Sequence, residues 1–418
     1  MSILNVNQIQ PVGSGQTVTI SATNIDAGSA TVTAGTFSGG VTVTSGNLTG
    51  ITSVSTTNLT INGNAYPNAG PLSNRNLVIN GAMQVAQRGT QVTGVTTDDF
   101  RTCDRFKFTV SGLGTWTVDQ STDSPEGFSN SFKATCTTAD ASPASSDYCF
   151  IRTRLEGQNL QHLQYGLSGA QDITISFWVK SNKTGNASFD IRQEDNSSKL
   201  WSNTYSISAA DTWEHKSFTI PGDTAGVINN DNGAGFQFSW WLNSGSTYTG
   251  GSTQTTWAAL TNTNRNPSNL GVGGATSDYF AITGVQLEVG TVATPFEHRS
   301  YGDELARCQR YYYRAVLSAS DIWGSGYNQN TTVTRNIIHF PVTMRTQPTA
   351  VETTGTAGDY RVLHGTTVTA CSAVPTFNSA TTHNGEVQAT VSSGLTAGQG
   401  NMLETNTNNA YLAWNAEL

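Results

Sequence analysis

Apolar residues recur along the start of this chain with a fixed period, and the period is too long for a single helix turn or strand alternation. Thr31–Gly39 reads TVTAGTFSG, Thr42–Gly50 reads TVTSGNLTG and Ser53–Ile61 reads SVSTTNLTI, each eleven residues after the last. A looser copy, TISATNI, runs from Thr19 to Ile25, twelve residues upstream of the first. Each unit places Val or Ile second (Ile20, Val32, Val43, Val54) and a larger apolar residue seventh (Ile25, Phe37, Leu48, Leu59). One such unit cannot bury its two apolar residues, whereas stacked units or several chains wound together can. The spacing of β-branched residues predicts a β-rich shaft over residues 1–70, closed by Pro67, Gly70 and Pro71.

From Asn76 onward the pattern becomes that of short strands. Ile173, Ile175, Phe177 and Val179 alternate with Thr174, Ser176, Trp178 and Lys180, a half-buried strand. Phe218 and Ile220 close another strand ahead of Pro221-Gly222. Phe236, Phe238 and Trp240 alternate with Gln237, Ser239 and Trp241. Phe280 and Ile282 share one phase while Val285, Leu287 and Val289 take the other, so a β-bulge is expected at Gly284. Short strands broken by Gly, Asn and Pro predict an antiparallel sandwich. Helical periodicity surfaces in DELARCQRYYYR, Asp303–Arg314, with Asp303 as its cap and Leu305, Cys308 and Tyr312 near one face. A short, Tyr-rich helix needs a packing partner, and these three residues are the expected contact of a homotrimer. Beyond it the β pattern returns, through Val333, Ile337, Ile338, Phe340 and Val342 to the terminal AYLAWNAEL.

Composition narrows the function classes. Only 12% of the 418 residues are charged, about half the usual share, and hydroxyls and amides carry most of the polarity. The net charge of −8 and the lack of any Lys/Arg cluster in the sequence exclude a nucleic-acid footprint. The five cysteines are odd in number and form no CxxC pair, which predicts free, buried thiols of a chain assembled in a reducing cytoplasm. No signal-peptide pattern and no membrane-length apolar run occurs, so neither the usual secretory route nor membrane insertion is expected. HExxH, Walker, GxSxG and GxGxxG motifs are absent, and the six His residues have no metal-ligand spacing. No catalytic residue, metal site or cofactor is expected.

The aromatic residues are the remaining functional clue, because sugars stack their C–H faces on flat rings. Trp178 and Trp241 each sit opposite the main apolar phase of their strand. Trp323, Tyr327 and Tyr360 lie among Gly, Asn and Ser, as aromatic anchors do in adaptable binding loops. These five are the candidate carbohydrate or receptor contacts. The loops Ser325–Thr332, Thr353–Asp359 and Ser392–Gly400 are the expected reading surface.

Several blocks resemble tail-fibre proteins of tailed bacteriophages, of the kind common in cyanophages. They are LNVNQIQP with TVTI (Leu4 to Ile20), RNLVINGAMQVAQRGT (Arg75–Thr90), CDRF (Cys103–Phe106), SFWVKSN (Ser176–Asn182), Trp213 with EHKSFTIPGD, and FPVTMRTQPTAV (Phe340–Val351) with the terminal AEL. The most specific is TGVQLEVGTVATPFEHRSYGDELARCQRYYYR, Thr283–Arg314, a long strand-to-helix join. NLVINGAMQ and YFAITGVQLE are also similar to the first and last strands of carbohydrate-binding modules. The resemblance implies an all-β homotrimer containing a jelly-roll domain. Sugar-binding relatives of such modules often carry an acidic residue near a calcium site where this chain reads Ile282-Thr283-Gly284-Val285. That departure leaves calcium open.

The expected organisation is a virion-attachment segment and trimeric β-shaft over 1–70, a jelly-roll β-sandwich over 71–299, a helical neck over 300–315 and a β-sandwich tip over 316–418. The expected role is adhesion of a virion to host surface polysaccharide or lipopolysaccharide, with the N-terminus joined to a tail, baseplate or adaptor protein. A fibre-borne depolymerase and a purely structural virion fibre are the competing expectations.

Overall fold

Alternation of apolar and polar residues sets the inward face of many strands of the larger β unit, such as Thr115–Ser121 and Asn384–Val391. A computed structural model describes Thr60–Ile61, Asn64–Ala65, residues 74–195 and residues 198–418. The eleven-residue repeats, apart from the last few residues of the final unit, and with them the expected shaft, lie outside the described residues. Two antiparallel sheets face each other. The first has seven strands, in the order Gln254–Ala258, Lys199–Ile207, Gly185–Gln193, Ala234–Ser244, Tyr148–Glu156, Lys107–Ser111 and Asp99–Phe100. The second has six, in the order Glu214–Ile220, Ile173–Ser181, Tyr279–Val289, Ser131–Thr138, Thr115–Ser121 and Gln91–Val95. The inward phases interlock: Phe177 of the second sheet meets Phe189 and Trp240 of the first at ring-centroid distances of 5.8 and 5.7 Å. Burial of this aromatic core is the dominant favourable term holding the sheets together.

The expected sandwich is present, and so is the expected bulge. The pairing of Tyr279–Val289 with Ile173–Ser181 slips between Thr283 and Gln286. Gly284 sits inside that slip with φ +60°, a left-handed value that glycine adopts without strain. The strand Ile173–Ser181 departs from simple alternation, since Thr174 and Ser176 are buried as well as Ile173 and Ile175. The outer face at that end is roofed by the chain around Thr294, whose carbonyl and hydroxyl bond to Gln286 and Glu288.

The helix is shorter than its sequence suggested. It spans Tyr301–Gln309, and its cap is Ser300, whose side chain accepts from the Asp303 amide. Asp303 is therefore in the first turn, where its charge favours the positive end of the helix. Tyr312–Val316 is a strand, because the Tyr run pairs with Tyr411–Asn415. Cys308 and Tyr312 point into their own chain and are fully buried, and the Tyr312 hydroxyl bonds to Glu352. They are thus corrected from trimer contacts to intrachain packing, and of the three only Leu305 is partly exposed.

The distal region is also corrected, from a sandwich to a closed six-stranded barrel. Its strands are, in spatial order, Ile322–Asn328, Val333–His339, Asn384–Val391, Thr367–Ala380, Tyr360–His364 and Gly400–Thr405, the last pairing back to the first. Closure removes the free edges that a small open sandwich would leave. A three-stranded sheet, Tyr312–Val316, Tyr411–Asn415 and Glu352–Thr353, flanks it. All five cysteines are buried and free, as their number and spacing predicted.

Candidate functional site

The six-stranded sheet carries an open cleft on its outer face. Register builds its floor: His215 pairs with Trp178, and Trp178 pairs with Thr283 on the next strand. These residues share the outward phase, so the indole of Trp178 stands half-exposed beside the His215 ring, 5.3 Å away. Two loops raise the walls. One brings Glu126, Gly127 and Phe128, the other brings Thr294, Pro295, Phe296 and His298, and together they enclose about 640 Å³.

The wall rings brace one another. Phe128 lies edge-on to Phe296 at 5.0 Å, and His298 lies 5.3 Å from Phe128 and 4.9 Å from Phe296. Each loop is pinned at its base. Asp123 takes hydrogen bonds from Lys180 and from the Trp213 indole at 3.1 Å, and Ser131 and Thr283 donate to the carbonyls of Asp123 and Asn130. Partial burial opposes the Asp123 charge, but the Lys180 and Trp213 hydrogen bonds outweigh it and hold the carboxyl below its ordinary range. In the other loop, Glu288 accepts from the amide and hydroxyl of Thr294 at 2.9 and 2.6 Å. The rings thus sit on a rigid base, as a site needing little reorganisation requires.

Gly284 makes the floor possible. A Cβ there would lie 2.8 Å from the Phe128 ring and 2.9 Å from the Trp178 ring. Gly284→Val is therefore expected to destabilise the sandwich by about 2–4 kcal/mol, combining overpacking with left-handed strain. Urea melts of the two proteins check this, and an unchanged midpoint would contradict the packing of Phe128 and Trp178 over the bulge.

Chemically, the cleft offers flat rings and neutral hydrogen-bonding groups. Burial, followed by the Lys216 charge, pulls the His215 imidazole below its usual range, which favours its neutral form. Among the cleft-lining residues Glu126 is the one carboxylate, and no Lys or Arg contributes. No three His, Cys, Asp or Glu side chains converge as metal ligands among the described residues.

Of the five aromatic candidates read from the sequence, Trp178 lies in this cleft and Tyr327 is exposed on the barrel wall. The other three are corrected to core positions. Trp241 does point outward from its sheet, yet it is covered: Arg265 lies over its ring at 4.7 Å, Phe150 and Tyr248 flank it, and its indole donates to Asp190. Trp323 packs on Tyr360 at 5.3 Å inside the distal unit. The Tyr360 hydroxyl bonds to the Tyr411 carbonyl at 2.7 Å, and its side chain is fully buried. Sequence reasoning missed Phe128, His215, Phe296 and His298. The available signal was the outward phase of Trp178 combined with the bulge at Gly284, which marks where a strand face opens.

No family model and no curated relative matches this chain. Among solved structures it is similar to the enzymatically active domain of tailspike protein 4 of Bacteriophage CBA120, at 14% identity and TM-score 0.28, over 54% of this chain and 24% of that one. It is also similar to the family 11 carbohydrate-binding module of the Clostridium thermocellum cellulosomal cellulase Lic26A-Cel5E, at 15% identity and TM-score 0.25, over 50% of this chain and 99% of that module. A third is the module TmCBM61, in complex with β-1,4-galactotriose, at 10% identity and TM-score 0.26, over 52% of this chain and 99% of that one. The chain thus spans about a quarter of the tailspike domain's length. At such TM-scores the likeness carries no weight, and function stands on the geometry of the cleft.

Proposed function

We propose that this chain is a glycan-binding adhesin of the phage tail-fibre type, and that the Trp178 cleft is where it holds an uncharged saccharide. The observation that carries the reading is a half-exposed indole on a rigid sheet, framed by aromatic walls and neutral polar groups. Sugar rings present C–H faces to such an indole, while their hydroxyls find His215, Ser176 and Thr294 within the same lining. This moves the expected receptor contact from the distal region to the sandwich, since Trp323 and Tyr360 are packed away. The homotrimer rests on the apolar repeats of the N-terminal segment, and three copies would raise avidity well above single-site affinity. The virion location and the N-terminal attachment to a tail protein rest on the sequence resemblance.

Binding without cleavage is the better reading of this cleft. Most glycoside hydrolases need two carboxylates flanking the scissile bond, and Glu126 has no second carboxylate opposite it in the lining. The test is an array of neutral oligosaccharides probed with the full-length chain, followed by a reducing-end assay on each glycan that binds. Retention of intact glycan is expected. Release of reducing ends would replace the adhesin with a depolymerase, and failure to bind any neutral glycan at millimolar concentration would remove the cleft as a saccharide site.

A further inference from the structure

The opposite face of the sandwich gathers basic side chains on an otherwise acidic chain. Register places them together on the outward phase of the seven-stranded sheet. Lys107 pairs with Arg152, Arg154 pairs with Gln237, and Gln237 pairs with Arg192 across the next strand. Like charges directly opposite in a sheet repel, so this arrangement costs stability unless something answers it. Two carboxylates answer it in part. Asp98 reaches Lys107 at 3.3 Å and Arg152 at 3.9 Å, and Glu194 accepts from Arg192. Arg154 has no carboxylate within 4 Å among the described residues. It is held instead by the neutral side-chain oxygen of Gln237, at 2.9 Å from its Nε, an oxygen that also accepts from Arg152 at 3.4 Å.

That geometry leaves the Arg154 fork aimed and without a direct carboxylate partner, its charge offset only at longer range by Glu194 and Asp98. Its Nε is fixed by Gln237, which orients the guanidinium plane, while its charge faces two further guanidiniums. Burial, and then the neighbouring cations, hold the Arg152 side chain below its ordinary range, which is the energetic sign of that crowding. Arg152 and Arg154 stand two residues apart on one strand, roughly 7 Å, and Arg192 lies two strands from Arg154, roughly 10 Å. Planar forks at this spacing match carboxylates repeated along an extended saccharide, each taken by paired N–H donors.

We propose that the row Lys107, Arg152, Arg154 and Arg192 is a second binding surface, for a uronate-bearing acidic glycan. It is independent of the neutral-sugar cleft, because the two occupy the outer faces of different sheets. The chain would then hold an acidic saccharide by charge on one face and a neutral one by ring stacking on the other.

Calorimetry of the full chain with hexagalacturonate at low salt tests the surface, with the fully methyl-esterified hexamer as its uncharged counterpart. The acid is expected to bind, the ester not, and the affinity to fall as salt rises. Arg154→Gln is expected to weaken the acid about tenfold or more, because a charged hydrogen-bonded pair is lost. Arg192→Gln is the second variant, which keeps the test decisive if Arg154→Gln fails to fold. Trp178→Ala is expected to leave binding of the acid unchanged, so this surface and the cleft fail separately. Equal binding of acid and ester, no binding of the acid at millimolar concentration, or wild-type affinity in both arginine variants would overturn the proposal. So would a drop in assembled mass on Arg154→Gln without loss of acid binding, which would make the row a contact with the acidic surface of another copy.

Discussion

Replacing Trp178 by alanine is expected to weaken binding of a neutral oligosaccharide about 30-fold, the effect of losing about 2 kcal/mol at a central aromatic anchor. Trp178 is half-exposed, lies beside Gly284 and lines the cleft, so its removal leaves the inward core of Phe177, Phe189 and Trp240 intact. The melting midpoint should therefore move little. Trp241→Ala is the contrasting variant. Its indole donates to buried Asp190 and lies under Arg265, so truncation removes one of the two donors to that carboxylate, leaving Arg265 as the other, and opens a cavity. About 3–5 kcal/mol of stability should be lost there, and any loss of binding should follow unfolding. Calorimetry with a neutral hit from the array, alongside urea melts, separates the two tryptophans. Full binding by the folded Trp178→Ala protein would remove the cleft from the account.

The contrast shows how far the sequence reaches. Strand phase put both Trp178 and Trp241 on outer faces, and both are there. What phase could not contain is the covering. Arg265 and Tyr248 arrive over Trp241 from the long connection between Ala234–Ser244 and Tyr279–Val289, whereas the loops beside Trp178 form walls rather than a lid. The bulge at Gly284 was legible because the apolar phase reverses there. The bulge in Ile322–Asn328 was not, since Gly and Ser fill that strand and leave no phase to follow. Its register shift between Ile322 and Gly324 puts Trp323 inside and Tyr327 outside, although alternation alone gives them one face. The helix ended early for a related reason: the pairing partner of Tyr312 lies about a hundred residues away, at Asn415, and local periodicity holds no trace of it.

The same distance in sequence hides a cluster on which a stability effect as large as that of Trp241→Ala should fall. Arg105 is almost fully buried, and its guanidinium is held by Glu417 and by the Arg154 carbonyl while its plane stacks on Tyr311 at 3.4 Å. Burial works against the Arg105 charge, and the Glu417 carboxylate more than offsets it. Arg345 fixes the same stretch by donating to the carbonyls of Ala416 and Glu417 at 2.7 and 2.8 Å. Tyr311 in turn donates to Glu156 at 2.5 Å, and Glu156 is bound at both oxygens by Arg310. Glu417→Ala is therefore expected to cost about 3–5 kcal/mol, because it leaves a buried guanidinium without its counter-charge. The cost should not be the worth of the pair itself. Removing both charges together, with Arg105→Met and Glu417→Leu, should recover most of the loss, since buried pairs repay their desolvation only in part. A double-mutant cycle by urea denaturation reads this directly. A double variant as unstable as Glu417→Ala alone would show that the hydrogen bonds of Arg105 to the Arg154 carbonyl and its stacking on Tyr311, rather than its charge balance, hold this part of the fold.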